Sequence, residues 1–382
     1  MRVIGIDPGT ITIDLCGLDD GRVFLDRSLP TADALADPAF LARLLDDEHR
    51  HAPIDLVAGP SGYGLPLIAA RDLTDADLRL ACLAAEGETG GIGGLRALIR
   101  ALARTSAPVV LTPGVVHLPS VPAHRKINRV DMGTADKVCA SALAVRELAD
   151  ERGCRERDVS LVLVELGGAF TAAIAVERGQ IVDGLGGSSG PLGMRAAGAF
   201  DGEVAFLAGS VTKEMLFQGG VETVRLKADA TYGAADATYG AADPACRVAD
   251  PRYGGAEATT SYVGSGFSRT AYIEGILKAI AALRVSVPEA RDVVLSGRLA
   301  NDAAIRDELT RRLTGLSVHV LKGFASIAKQ AAQGAALIAD GLAGGRSAAL
   351  VDAMGIREAR GTVLDHLYVI APDMARARLG IV

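Results

Sequence analysis

Two short stretches carry the residue types of phosphate chemistry. Gly5-Ile6-Asp7-Pro8-Gly9-Thr10 follows the apolar pair Val3-Ile4, and Glu165-Leu166-Gly167-Gly168-Ala169-Phe170-Thr171 follows Leu161-Val162-Leu163-Val164. Each precedes another strand-like run, Ile11 to Leu15 and Ala172 to Val176. Glycines between two strands let backbone N–H groups approach a bound anion closely. One such turn in each half of the chain predicts a duplicated unit gripping a single polyphosphate from both sides. Gly9, Thr10, Gly167, Gly168 and Thr171 would lie on the phosphates of a nucleotide.

Asp7 sits where the first strand gives way to its turn. A nucleotide would repel it: two like charges about 4 Å apart interact by about 4 kcal/mol at an effective dielectric of 20. A bridging Mg²⁺ reverses the sign, because hard cations take carboxylate, water and phosphate oxygens together. Asp7 is therefore the candidate metal residue. Asp-Pro-Gly-Thr also suits a plain β-turn, but a decorative turn has no reason to recur in the same register at Gly167. Val293-Val294-Leu295-Ser296-Gly297-Arg298-Leu299 adds a buried strand ending in small residues, against which a base or ribose can lie. Ser296, Gly297 and Arg298 thus join the candidate nucleotide residues, although alone they would read as an ordinary strand-to-helix turn. Arg125, Lys126, Arg129 and Lys137 form a basic cluster that either attracts phosphates or an acid, or is a solvated helix entrance. The six histidines show no metal-ligand spacing.

The elements that must position these residues follow from pattern. Strands are expected at 2–7, 12–17 and 22–27, a helix at 37–50, and a strand at 54–58 that runs into the glycine-rich loop 59–66. Helices at 75–85 and 95–103 and a strand at 108–111 complete the first unit. A helix from Thr134 carries Val138, Ala142, Val145 and Ala149 on one face and stops at Gly153. From about residue 158 the strand–turn–strand–strand order begins again. Ala-Asp-Ala-Thr-Tyr-Gly-Ala occurs twice, at 228–234 and 235–241, without a coiled-coil seam, and reads as a duplicated surface insertion. A helix at 268–285, a strand at 292–296, a helix at 303–313, a strand at 317–321 and an Ala-rich helix at 324–342 close the second unit. The expected division is 1–155, then 156–342 with an insertion at about 226–265, then an extension at 343–382.

Composition fits a globular chain of 382 residues, 49% hydrophobic and 23% charged, so two domains are the natural expectation. A net charge of −6 argues against a nucleic-acid partner, which needs a clustered basic surface. Five scattered cysteines without a CxxC pair read as reduced thiols. With an N-terminus that enters a strand directly and no apolar stretch long enough for a bilayer, the expectation is a cytoplasmic protein without a membrane partner. The oligomeric state, a homodimer included, stays open.

The order Gly-x-Asp-x-Gly-Thr, Leu-Gly-Gly with a hairpin, then strand-Ser-Gly resembles the superfamily of acetate and sugar kinases, heat-shock chaperone ATPases and actin. The stretch from Glu165 through Gly179-Gln180-Ile181-Val182-Asp183-Gly184 to Pro191-Leu192-Gly193-Met194-Arg195 looks like the second phosphate segment and substrate-arginine region of acetate and butyrate kinases. Gly59 to Pro66, Pro122 to Lys126 with Ala135-Asp136-Lys137-Val138, and Ala331 to Ala335 resemble further butyrate-kinase segments. More particularly, the chain looks like a family of predicted butyrate kinases. The resemblance implies an α/β fold of two ribonuclease-H-like (actin-like ATPase) domains with a nucleotide cleft between them. It also implies ATP- and Mg²⁺-dependent phosphorylation of a small carboxylic acid to an acyl phosphate.

A carboxylate needs no general base, so catalysis would be alignment and charge neutralisation, with Arg195 on the acid or on the transferring phosphoryl. This sequence has Glu165 where acyl kinases carry histidine and Pro60 where they carry arginine. Both changes make the cleft less welcoming to an anion. A neutral hydroxyl acceptor would need a base, for which Asp136 and Glu165 are the candidates. Loss of the acyl-kinase residues also suits an ATP-dependent switch or interaction protein of the same fold. A third reading, a junction-resolving nuclease that shares the Gly-Ile-Asp-Pro-Gly-Thr start, is disfavoured by length, acidity and the second glycine turn.

Overall fold

In the computed structural model, which describes residues 1–9, 11–84, 93–222 and 266–381, each apolar run beside a glycine turn becomes the first strand of a sheet. The first sheet comprises β1 (Arg2–Pro8), β2 (Thr12–Asp19), β3 (Arg22–Pro30), β4 (Leu56–Pro60), β5 (Ile68–Ala69) and β6 (Val109–Thr112), in the order β3-β2-β1-β4-β6-β5. The second comprises β7 (Leu161–Leu166), β8 (Thr171–Glu177), β9 (Gln180–Leu185), β10 (Asp292–Ser296) and β11 (Ser317–Val320), in the order β11-β10-β7-β8-β9. The first three strands of each sheet form an antiparallel meander; β4 then β6, and β10 then β11, add in parallel beyond the opening strand, and β5 pairs antiparallel at the edge of the first sheet. The repeat anticipated from the glycine turns is therefore a repeat of topology.

Helices cover both faces of each sheet. On the outer faces, Ile4 and Ile6 of β1 pack with Leu41 and Leu45 of α1 (Pro38–His51), while Val162 and Val164 of β7 pack with Tyr272, Ile276 and Ile280 of α3 (Gly266–Arg284). Between the sheets run α2 (Ala135–Arg152) and α4 (Gln330–Leu342). Both are rich in alanine and buried nearly all round, as a helix enclosed on every side must be. Val3 of β1, Leu161 and Leu163 of β7, and the inner residues of α2 and α4 belong to one continuous core.

The helices approach closely because the contacts are glycines. A Cβ on Gly5 of β1 would overlap the backbone of Ala332 and Ala336 in α4, and one on Gly334 of α4 would overlap the Cys139 carbonyl in α2. Gly153 ends α2 with φ at 61°, the left-handed cap expected of it.

Two expectations change. The helix expected at 324–342 begins only at Gln330, because the amides before it are satisfied by side chains. Asp26 accepts from Ser326, Ile327 and Ala328 at 2.9, 3.0 and 2.6 Å, and Gln333 accepts from Phe324 and Ala325 at 2.7 and 3.0 Å. That helix also lies on β1, β2 and β4 of the first sheet instead of closing the second unit. The following residues carry helices Ala348–Met354 and Pro372–Arg378 and join the core shared by the two sheets, with Val363, Leu364 and Leu379 part of it. The tandem repeat at 228–241 and the 226–265 insertion lie outside the described residues. No described helix is long and apolar enough to cross a membrane.

Candidate active site

The two glycine turns share one backbone solution. Gly9 donates its amide to the Thr12 carbonyl at 2.9 Å, and Gly167 donates to the Phe170 carbonyl at 3.0 Å, the same i-to-i+3 closure in each hairpin. Those two amides are spent inside the turns, so an anion would meet the next ones along. In the second turn that is Gly168, whose amide donates to no described group; Thr10, the candidate expected in the first turn, lies outside the described residues. The turns meet across the gap between the sheets: a Cβ on Gly168 would stand 3.7 Å from Cδ1 of Ile11.

Strand alternation aims acids into the same gap. Val3, Gly5 and Asp7 share the face of β1 that lies on α4, and Leu161, Leu163 and Glu165 share the face of β7 that lies on α2. Asp7 and Glu165 are thus equivalent: each is the last inward residue of its sheet's opening strand. Asp136 enters from the first turn of α2, and Lys329 from the residue that precedes α4. Asp14, opposite Asp7 in the β1–β2 register, adds a fourth carboxylate.

These groups act on one another. The Lys137 ammonium, 13% exposed, bridges Asp136 Oδ2 at 2.6 Å and Glu165 Oε1 at 3.1 Å, linking α2 to β7. Burial disfavours its charge, but the two carboxylates hold it protonated well above the ordinary lysine range. Burial lifts Glu165 despite Lys137. Asp136 falls below its ordinary value because Lys137 and the Thr134 hydroxyl, which donates to its Oδ1, outweigh its burial. Lys329 Nζ lies 3.1 Å from Asp14 Oδ2, which also accepts from Thr12 at 2.7 Å. The Asp7 carboxylate accepts no hydrogen bond from any described residue, and burial together with Asp136 pushes it up to about 7, with Lys329 pulling it back.

The other expected residues divide. Ser296 ends β10 opposite Glu165 and is 2% exposed. Gly297 has φ at 85°, and a Cβ there would stand 2.7 Å from the Leu166 carbonyl, so both conformation and space require glycine. Arg195 is strapped to the second turn, its amide donating to the Ala169 carbonyl at 3.1 Å. Its charge and that of Arg298 both act on Glu222, a carboxyl that desolvation raises.

Thr171 does not reach the gap. It is fully buried and its hydroxyl donates to the Tyr272 hydroxyl at 3.2 Å, tying β8 to α3. The basic cluster also disperses. Arg125 donates to the Val182 carbonyl at 2.8 Å and buried Lys126 to the Leu118 carbonyl at 3.0 Å, which leaves Lys137 as the member that joins the acids. The loop from Gly59 to Pro66 is packed rather than open: Ser61 is fully buried, donating to Thr112 and accepting from Leu65, and Gly62 accepts from the first residue of α2.

Sequence reasoning missed Asp14 and Lys329. Asp14 carried one available signal, a carboxylate between Ile13 and Leu15 in an otherwise apolar strand. Lys329 carried none, because its meaning depends on where α4 docks.

The chain's relatives bear on this arrangement. The model of the family described as "Protein of unknown function (DUF1464)" matches residues 5–369. No curated protein matches the chain. Among solved structures, a propionate kinase from Francisella tularensis is similar at TM-score 0.57 and 11% identity, over 87% of this chain and 98% of that one. An acetate kinase from Porphyromonas gingivalis gives 0.53 and 14% over 87% and 98%, and one from Entamoeba histolytica 0.52 and 12% over 82% and 86%. At such identities the likeness establishes the fold, the two-domain actin-like ATPase architecture.

Proposed function

The chain belongs to the DUF1464 family, and we propose that it is an ATP- and Mg²⁺-dependent phosphotransferase acting on a small molecule. One observation carries this reading: two identically closed glycine turns meet over a shared floor of acids and ammonium groups. In such a cleft the γ-phosphate lies between the turns, where the Gly168 amide donates to its oxygens. The N-termini of α2 and α4 end at the same floor, since Asp136 and Lys329 both act on Asp7, and they add positive potential.

Asp7 fits the metal. Its carboxylate lacks hydrogen-bond partners among the described residues and stands among like charges. No three His, Cys, Asp or Glu side chains among those residues are grouped to hold an ion alone. Mg²⁺ would therefore rest on Asp7, nucleotide oxygens and water, its usual mixed shell, and supply neutralisation of the phosphoryl charge. Ser296 and Gly297 offer the flat backbone on which the nucleoside can rest, and Arg195 with Arg298 edges that side.

The acyl-kinase resemblance supplies one acceptor, a short carboxylic acid clamped by Arg195. The charge balance around Asp7 favours another, a neutral one. Replacement of the acyl-kinase histidine and arginine by Glu165 and Pro60 also suits a second reading, an ATP-binding switch that transfers phosphate to no acceptor. Calorimetric titration with a non-hydrolysable ATP analogue and Mg²⁺, followed by ADP release with and without acceptors, tests both. Absence of Mg²⁺-dependent nucleotide binding removes the phosphotransferase. Binding with slow hydrolysis that no small molecule stimulates favours the switch.

A further inference from the structure

The phosphotransferase reading leaves the acceptor open, and the side chains at the cleft floor narrow it. Around the meeting point of the turns stand four carboxylates, Asp7, Asp14, Asp136 and Glu165, against two ammonium groups. Both ammonium groups are already engaged, Lys137 by Asp136 and Glu165, and Lys329 by Asp14. A nucleotide with its single Mg²⁺ brings further negative charge. An acid acceptor would need a cation of its own. Pro60 stands where the resemblance would put arginine, and the charge of Arg195 acts on the Glu222 carboxyl.

The four carboxylates are not equivalent. Asp14 is 1% exposed and held by Thr12 and Lys329. Asp136 has Oδ1 on Thr134 and Oδ2 on Lys137. Asp7 is the metal residue. Asp14 Oδ1 has no partner but is sealed from solvent, so beside the metal residue only Glu165 keeps an unpartnered oxygen within reach of the cleft. Its Oε1 meets Lys137, whereas Oε2 accepts from no described group and is not sealed from solvent. The side chain is 19% exposed, and Oε1 lies 3.8 Å from the Cβ position of Gly167, at the lip of the second turn.

We propose that the acceptor is an uncharged hydroxyl compound and that Glu165 takes its proton. The hydroxyl oxygen attacks the γ-phosphorus as its proton passes to Glu165 Oε2. The bond from that phosphorus to the β,γ-bridging oxygen breaks, and its electron pair leaves on ADP. The products are a phosphate monoester and ADP, and Glu165 returns its proton to water. The proposal rests on the phosphotransferase reading, and the test separates the two.

The full-length protein with Mg-ATP is offered neutral polyols and sugars in one series and acetate, propionate and butyrate in another. ADP release is followed together with ³¹P spectra and hydroxylamine trapping. The expected result is a polyol- or sugar-stimulated reaction whose product resists hydroxylamine. Glu165→Gln should then lose about a hundredfold or more in kcat, the usual worth of a general base, with little change in KM for ATP. Glu165→Asp, which keeps the charge but withdraws the oxygen, should fall between. Hydroxamate formed with the acids overturns the proposal while leaving the phosphotransferase intact, and so does a Glu165→Gln variant with unaltered kcat. Nucleotide binding without stimulation by either series also overturns it. A protein that binds no nucleotide defeats both readings. Product class is read from the wild-type protein, so the outcome does not depend on whether a variant folds.

Discussion

Asp7 is kept where its charge is least welcome. Burial and Asp136 both favour its protonated form, no hydrogen bond relieves it, and Lys329 compensates only in part. Residues held this way for function commonly weaken the fold. Asp7→Asn should therefore raise the melting temperature without nucleotide by about 2 °C, about 1 kcal/mol or less in a chain of this size, while abolishing Mg-ATP turnover. A melting temperature that falls would show that Asp7 stabilises the fold instead. His117 makes the opposite kind of prediction. It is 1% exposed with neither ring nitrogen partnered, and burial lowers its pKa to about 4. The unfolded chain takes up this proton near pH 6.5 and the folded one only near 4, so stability falls as pH drops through that window. Each pH unit costs about 1.4 kcal/mol, to a total of about 3 kcal/mol. Urea melts of wild type and His117→Phe at pH 7 and pH 5 check this; the variant should lose less on acidification. Asp7 and Glu165 were legible because a carboxylate beside a glycine turn is rare company for an apolar strand. His117 was not, since nothing local distinguishes a buried histidine from a surface one.

At the scale of elements, the glycine turns and the strands they join could be read directly, because punctuation and alternation are local signals. What local signals miss is which side of an element meets which neighbour. Thr171 opens β8 as expected, but its side chain falls on the α3 face. Gly334 shows the same limit. Within the Ala-rich run 331–339 it looks like a mild helix defect, and its reason lies on another helix, where the Cys139 carbonyl occupies the space a Cβ would need. The neighbouring atom is backbone, so neither partner can yield by a rotamer change. Gly334→Ala should destabilise the protein by about 1–3 kcal/mol, the usual cost of overpacking, even though alanine is the better helix former. If helix propensity decides instead, the variant will melt higher. The same substitution should separate α2 from α4 near their N-termini and so weaken nucleotide binding as well as the fold.

The molecule as a whole closes on itself. The first sheet is built from residues before 113, yet its inner face is covered by α4, and the shared core draws in Val363, Leu364 and Leu379 from the end of the chain. A division near residue 155, natural from the repeat of strands, therefore cuts the first unit from its own cover. In a fragment of residues 1–155, Val3 and Gly5 of β1 would face solvent where Ala332, Ala335 and Ala336 now lie fully buried. An uncovered sheet face cannot offset the entropy of ordering its strands. The fragment should accordingly show no cooperative thermal transition by circular dichroism and poor amide dispersion by NMR, whereas the full chain melts cooperatively. Adding a peptide of residues 323–382 should restore part of the transition, because it carries α4 and the segments that follow it into the core. A fragment that melts cooperatively alone would mean that α4 merely rests on a self-sufficient domain. In that case the two acid-bearing strands would be free to move apart around α2, and α4 would no longer fix Lys329 against Asp14 at the floor of the cleft.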